Sequence, residues 1–450
     1  AAVVAVLKGV DVRLALFAAA LALGGLAGDV APVVREFLAT FSNEKFVVPI
    51  CSAMGFAYVL KHTGCDAHLV RLLVGPVKAV HFLMIPGVVL VGFLVNIPVI
   101  SQTSTAVCLG TVVVPVMRAA GFSPVTIGSA LLLGASVGGE LLNPGAPELL
   151  TVAVKTGRPP QDMWGPILRV LVPMLAVSTL VFWVREWRSA KTPAAGPAPA
   201  EDQPATPGER LNLLKAAVPV VPLALLFLTG PPFGVVSMPQ KWVVNRPDVS
   251  ASAAVAGVVA AEASESKRDS SYNTRLIGLA MMLGVGVAAA ASPGRAKGCM
   301  KAFFDGAGYG FTHIVSLIVI ANCFGEGIKQ VGLAKALGDA IAGSPSLLQP
   351  LAAFVPAGFA FVCGSGMAST QSLYGFFHGP TVALDGDPLA VGAMVSLGAA
   401  AGRTMSPVAA VVLMSAALTG TKPFDLVKRV APPLVVGLVV VVALRMAGWV

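Results

Sequence analysis

ALLLGASVGGELLNPGAPELLTVAV, residues 130–154, and MVSLGAAAGRTMSPVAAVVLMSAAL, residues 394–418, decide the fold. Each is apolar enough and, at about 20 residues or more, long enough to cross a bilayer. Each is also broken at its centre. Gly138-Gly139 and Asn143-Pro144-Gly145 interrupt the first; Gly402 and the Ser406-Pro407 step interrupt the second. A proline removes a helical hydrogen bond and collides with the preceding turn. Backbone groups freed in this way survive at membrane depth only where protein or a water-filled cavity covers them.

Upstream of each broken segment lies a longer apolar stretch with a polar middle. Phe82 to Met117 contains no Asp, Glu, Lys, Arg or His, and its centre reads NIPVISQTST, residues 96–105. Ala340 to Leu384 contains only His378 of those types, and its centre reads CGSGMASTQS, residues 363–372. Two apolar arms around a polar, Gly-rich tip predict a re-entrant hairpin. Simpler apolar spans fall near residues 13–29, 46–61, 165–183, 212–229, 274–292, 312–328 and 431–447.

The landmarks of one half recur in the other. Pro115 aligns with Pro380, Ser104-Thr105 with Ser369-Thr370, Leu133-Gly134-Ala135 with Leu397-Gly398-Ala399, and Pro144 with Pro407. Gly64 and Gly332 each close a Lys-x-x-Gly tetrad. The order points to a repeat. Residues 1–184 form the first unit, its start truncated, 185–211 a Pro/Ala-rich linker, and 212–450 the second unit. A signal peptide already removed is the other reading of the opening AAVVAVLKG.

Loop charges predict that the repeats are inverted. Cytoplasmic ends carry the excess of Lys and Arg. The linker region holds Arg185, Arg188, Lys191, Arg210 and Lys215, and placing it in the cytoplasm brings Arg295, Lys297, Lys301, Lys422, Lys428 and Arg429 with it. Lys61, Arg71 and Lys78 then fall inside, while Lys329 and Lys335 of the equivalent arm fall outside. The segment 231–273 is read as a long external loop, although it holds Lys241, Arg246, Lys267 and Arg268.

Composition agrees with an all-α polytopic membrane protein. Of 450 residues, 56% are hydrophobic and 12% charged, with a mean hydropathy of +0.82. Soluble domains carry about 25% charged residues. The net charge of +9 is explained by short basic loops, so no nucleic-acid partner is implied. The six cysteines lack CxxC or zinc spacing and read as small core residues. There is no GxxxxGK[ST] loop, no HExxH and no GxSxG elbow, which argues against ATP-driven transport and against an enzyme. No cofactor or metal is implied.

Discontinuous helices at matching positions of inverted repeats point to a transporter's binding site near the bilayer midplane. Half-helix N-termini direct free N–H groups at anions. Candidate substrate ligands are Ser101, Gln102, Thr103, Ser104 and Thr105 in the first tip and Ser365, Gly366, Ser369, Thr370 and Gln371 in the second. From the breaks come Asn143, a candidate cation or backbone ligand, with Arg403, Thr404 and Ser406. Helix–helix packing is the competing explanation for the small polar residues. Glu140 and Arg403 stand out, because a charge deep in the membrane costs at least about 2.5–3.5 kcal/mol. Either Arg403 meets a substrate carboxylate while Glu140 tunes the site or handles a coupling proton, or the two form a structural pair. Glu148, a turn after Pro144, reads as lying near the surface, and His313, Glu326 and Lys329 read as interfacial.

Several runs resemble the DcuC family of anaerobic C4-dicarboxylate carriers: SAMGFAYVLKHTGCDAHLVRLL (52–73), GFLVNIPVISQTSTA (92–106), GGELLNPGAPE (138–148), CFGEGI (323–328), CGSGMASTQSLYGFF (363–377) and GAAAGRTMSPVAAV (398–411). More coarsely, the chain resembles the ion transporter superfamily, which includes divalent anion–sodium symporters. Ser101-Gln102-Thr103 is similar to the Ser-Asn-Thr motif of those symporters with Gln in place of Asn, and Gly366-Met367-Ala368-Ser369-Thr370 departs further, so sodium and proton coupling both stay open. The resemblance implies a secondary carrier of succinate, fumarate or malate in the bacterial inner membrane, an elevator-type fold and a homodimer in the lipid bilayer. Another organic or inorganic anion as cargo, or an anion channel, are the alternatives.

Overall fold

The computed structural model describes residues 11–75, 81–189, 211–229, 235–236, 238–239, 242–243, 258–332 and 343–449. The opening residues, most of the linker, Lys78, Lys335 and most of 231–257 lie outside the described residues. The described residues are helical with no strand. Eight helical segments are long and apolar enough to cross a membrane.

A first group of helices comprises α1 (Val12–Leu26), α2 (Ala31–Phe41), α3 (Glu44–Thr63) and α4 (Cys65–Val74). Helix α3 is capped at both ends by its own sequence. Asn43 accepts a hydrogen bond from the Lys45 N–H at 3.0 Å, and Gly64 takes the left-handed conformation at φ 77° that closes the helix. Helix α5 (Met84–Asn96) then meets α6 (Gln102–Ala119) across the turn 97–101. The first broken segment follows: α7 (Pro124–Ser136), a single 3-10 turn at Gly139–Leu142, and α8 (Pro147–Thr156). Helix α9 (Trp164–Ser189) completes the first half.

After α10 (Leu213–Ala217) and α11 (Val221–Thr229), α12 runs over Val258–Ala291. Residues 258–273, read from the sequence as external loop, are therefore helical and continuous with the span that follows. The stretch VVAAEASESKRDSSYN mixes helix formers such as Ala, Glu, Lys and Arg with serines and charges that keep it from standing out as an apolar span. Helices α13 (Cys299–Gly310) and α14 (Ser316–Gln330) join through a π-helical segment at Phe311–Val315. The second hairpin is α15 (Leu348–Cys363) and α16 (Gly366–Ala383). The second broken segment is α17 (Pro388–Met405) and α18 (Ala410–Thr419), followed by α19 (Pro423–Met446).

The broken segments form the interior. In Pro124–Thr156, 89% of the apolar window is buried, against 33% in Pro160–Trp187, which shows Val172 and Leu180 on its outer face. A helix apolar on every side belongs inside. The outer arm of each hairpin packs on the first half of the broken segment that follows it, α5 on α7 and α15 on α17. A second set of contacts joins α3 to α12 and α13, and α1 to α14. Where α6 and α7 meet α18, the two halves interlock. Glu186 ties one end of the interior together, accepting from Thr126 Oγ1 at 2.6 Å and from Arg429 at 3.1 Å.

Gly402 corrects the sequence reading. It does not break its helix, since α17 continues to Met405. It lies instead against α15, where an added Cβ would collide with the Ala357 carbonyl. Gly398, one turn earlier, meets the Ala353 carbonyl in the same way. Small residues let two backbones approach this closely. The break itself begins at Ser406-Pro407.

Candidate functional site

Both hairpin tips end at the breaks. Ser101 caps α6, its Oγ accepting from the Ser104 N–H at 3.3 Å, and Ser365 caps α16 through the Ala368 N–H at 3.2 Å. Gly364 adopts φ 71° to turn the chain from α15 into α16. In the first break Gly138 takes φ 119°, which a side chain rarely allows. Helices α8 and α18 both start after an extended alanine, Ala146 at φ −67° and ψ 132° and Ala409 at φ −68° and ψ 137°, with no side-chain cap. Their first N–H groups are thus left for other partners.

These elements enclose a cavity of about 200 Å³. Ser101, Gln102 and Thr103 line it from the first tip, and Gly364, Ser365 and Gly366 from the second. Ala409, Ala410 and Val411 bring the start of α18, and Arg403 and Glu148 the charges. The facing wall is made by Met54 of α3 and by Tyr309, His313, Ile314 and Leu317 of the α13–α14 helix.

Arg403 is 5% exposed and Glu140 fully buried. Arg403 Nη2 lies 2.6 Å from Glu140 Oε1 and 2.9 Å from the Ser136 carbonyl, and Nε donates to Ser136 Oγ at 3.2 Å. Its Nη1 has no hydrogen-bond partner, with Glu148 Oε1 3.8 Å away. The structural pair and the substrate-facing arginine, alternatives in the sequence, are therefore combined in one side chain, paired on one edge and presented to the cavity on the other. Glu148, expected near the surface, is buried at 2% exposure and lines the cavity. Helix α8 starts in the interior, so its first turn lies deep.

The remaining candidates do other work. Thr105 donates to the Val99 carbonyl at 3.2 Å inside the tip, and Ser369 to the Pro356 carbonyl at 2.7 Å between the arms of its hairpin. Asn143 donates to the Ile97 carbonyl at 2.8 Å and accepts from the Gly145 N–H at 2.9 Å, which holds the first break against the first tip. Thr404 donates to the Ser136 carbonyl at 2.8 Å. Ser104 supplies its N–H to Ser101, and Ser406, Thr370 and Gln371 are buried with side-chain polar atoms that find no partner. None of these lines the cavity. Gln371 instead lines a second cavity with Lys155 and Asn322. Glu326 and Lys329 pair at 3.4 Å with the lysine 73% exposed, and His313 belongs to the cavity wall. Among the described residues, no group of three or more His, Cys, Asp or Glu side chains could hold a metal ion.

Sequence reasoning missed Asn96. It is fully buried at the end of α5, and its Oδ1 accepts the Glu140 N–H at 3.1 Å while its Nδ2 donates to the Val99 carbonyl at 3.0 Å. The signal was available, since an Asn in an apolar helix needs partners.

The molecule is a multi-pass helical membrane protein with the fold of solved transporters. It is similar to the YdaH transporter of Alcanivorax borkumensis at a TM-score of 0.63 and 16% identity, with 97% of each chain covered. It is also similar to MtrF of Neisseria gonorrhoeae at a TM-score of 0.59 and 12% identity, covering 92% of this chain and 83% of that one. The chain belongs to the DcuC family, described as C4-dicarboxylate anaerobic carriers, which it matches over residues 45–449. An uncharacterised transporter of Haemophilus influenzae is 34% identical over 122 residues, 27% of this chain and 84% of that protein. The anaerobic C4-dicarboxylate transporter DcuC of Escherichia coli is 28% identical over 146 residues, 32% of each chain.

Proposed function

We propose that the chain is a secondary carrier that moves C4-dicarboxylates such as succinate, fumarate or malate across the bacterial inner membrane by alternating access. The observation that carries this reading is the single cavity where both hairpin tips, the start of α18 and the free edge of Arg403 converge. A dicarboxylate needs two anion sites a few bonds apart. Arg403 Nη1 takes one carboxylate by a charge-assisted hydrogen bond. The tip hydroxyls, the Gln102 amide and the uncapped N–H groups of α18 take the other.

In this reading the halves are inverted repeats, residues 1–184 and 212–450, joined by a cytoplasmic linker at 185–211. The hairpins are re-entrant, and they move with the broken helices as an elevator against the wall formed by α3, α13 and α14. The carrier works as a homodimer and is coupled to H+ or Na+.

The test is counterflow. Protein reconstituted in liposomes preloaded with unlabelled succinate is expected to accumulate labelled succinate, with saturation and with competition by fumarate and malate. Inhibition only by anions lacking two carboxylates would replace the cargo. Flux without trans-stimulation would replace the carrier by a pore.

A further inference from the structure

We propose that Glu148 is a proton-binding site of the substrate cavity: its neutral form leaves Arg403 Nη1 to a substrate carboxylate, and its ionised form closes on Nη1 when the cavity is empty. The inference rests on the carrier reading above and gives it a coupling ion.

The geometry is that of one guanidinium between two carboxylates held unequally. Glu140 has the hydrogen-bonded edge at 2.6 Å, whereas Glu148 stands at 3.8 Å, too far for a hydrogen bond. Glu148 Oε2 and Arg403 Nη1 are both buried and both lack a hydrogen-bond partner. Both residues line the cavity. A buried charge whose one ion pair is long and unsupported by a hydrogen bond is costly, and a carboxylate can avoid that cost by taking a proton.

The surroundings offer Glu148 no other counter-charge. The charges that bear on it are those of Glu140 and Arg403. The packed elements add few groups. Helix α16 brings Tyr374 and His378 at the far end of α8, where Lys155 lies. The 3-10 turn Pro160–Met163 brings Asp162, which pairs with Arg158 at 2.7 Å. Helix α3 faces the cavity with Met54, and α17 supplies Arg403 itself. His313 and Tyr309 stand on the facing wall.

Charge balance then sets the cycle. With both glutamates ionised the triad carries one net negative charge, and a dicarboxylate would add two more in a buried site. One proton, taken from water on the entry side onto Glu148, lowers that burden and removes the competitor for Nη1. On release the proton leaves to water on the other side. The Glu148 carboxylate moves the short distance onto Nη1, and the empty carrier returns with both edges of its arginine paired from within. No bond other than O–H forms or breaks.

Two readouts on the purified protein test this. The first needs no substrate: infrared difference spectra between high and low pH are expected to show a buried carboxylic acid band in the wild type that Glu148→Gln lacks and Glu140→Gln keeps. The second is succinate affinity between about pH 6.5 and 8.5, where the substrate carboxyls are ionised. The wild-type Kd is expected to rise by up to about tenfold per pH unit, and the Glu148→Gln Kd to stay flat. A band that survives Glu148→Gln, one that vanishes in Glu140→Gln alone, or an unchanged pH dependence in Glu148→Gln overturns the assignment. If the band behaves as expected but succinate does not bind at any pH, the proton site stands and the cargo reading fails.

Discussion

The two hairpins reach the same cavity and both pack a glycine seam against the broken segment that follows, but only the first adds polar braces between tip and break. The first is braced by polar side chains. Asn96 accepts the Glu140 N–H, and Asn143 donates to the Ile97 carbonyl and accepts the Gly145 N–H. Glycines also bring its backbones together, since an added Cβ would collide with the Phe93 carbonyl at Gly139 and lie 3.0 Å from the Val89 carbonyl at Gly134; the second half has such a seam without the braces. Gly398 and Gly402 lie against the carbonyls of Ala353 and Ala357, and a Cβ added at Gly364 would lie 3.2 Å from the Ala409 backbone. Among the described residues, no side-chain hydrogen bond joins the tip at 364–366 to the break at 406–409. Hydrogen bonds are directional and lose their energy with small displacements. A glycine seam tolerates sliding along its length but no added bulk. The first tip thus has directional bonds in addition to its seam, and the second has the seam.

Four sets of substitutions bear on this contrast. The largest effect is expected at Arg403, which joins the two breaks. Arg403→Ala leaves Glu140 buried without its partner and is expected to cost about 3–5 kcal/mol, read as loss of folded protein in thermal unfolding followed by size-exclusion chromatography. The double variant Arg403→Met, Glu140→Gln is expected to regain most of that stability but no counterflow. Recovery of transport there would remove Arg403 from the substrate site.

Next is the glycine seam. Gly402→Ala sets a methyl against a backbone carbonyl that cannot rotate away, and about 3 kcal/mol of destabilisation is expected. Gly145→Ala in the first break meets the Asn143 amide oxygen at 3.3 Å and otherwise makes ordinary contact with Ile100 and Ala53, and less than about 1 kcal/mol is expected. Equal costs at the two positions would show that close backbone approach is not what constrains Gly402.

The polar braces come third. Asn96→Ala strands the buried Glu140 N–H, for an expected loss of about 1–3 kcal/mol in the same unfolding assay. The smallest effects belong to the caps. Ser101→Ala and Ser365→Ala each remove one N-cap bond and are expected to cost about 1 kcal/mol apiece, with no difference between the tips.

Much of the architecture was legible because backbone breakers are local. Gly138-Gly139, Asn143-Pro144-Gly145 and Ser406-Pro407 stop helices wherever they occur, and the structure breaks there. The pairing of Glu140 with Arg403 was legible as one of two options, because buried charges need partners. Gly402 was misread because a glycine that ends a helix and one that seats a neighbouring backbone look alike in sequence. Glu148 was misread because depth was counted along the chain from Pro144, whereas α8 begins inside the molecule. The wall residues His313 and Tyr309 left no signal, since only the packing of α3 against α13 turns them toward the tips. Helix α2 was missed as well: Ala31–Phe41 is short and carries Arg35 and Glu36, so it does not stand out as a span.

The central claim is that both tips hold one substrate in one cavity. The direct measurement is protection from a thiol reagent, in a Cys51→Ser, Cys363→Ala background that keeps the four buried cysteines, for three variants with one added cysteine each: Thr103→Cys on the first tip, Ser365→Cys on the second and Lys301→Cys, at an exposed lysine, as control. The account predicts that succinate slows modification at Thr103→Cys and at Ser365→Cys and leaves Lys301→Cys unchanged. Modification that proceeds at the same rate with and without succinate at either tip would contradict it.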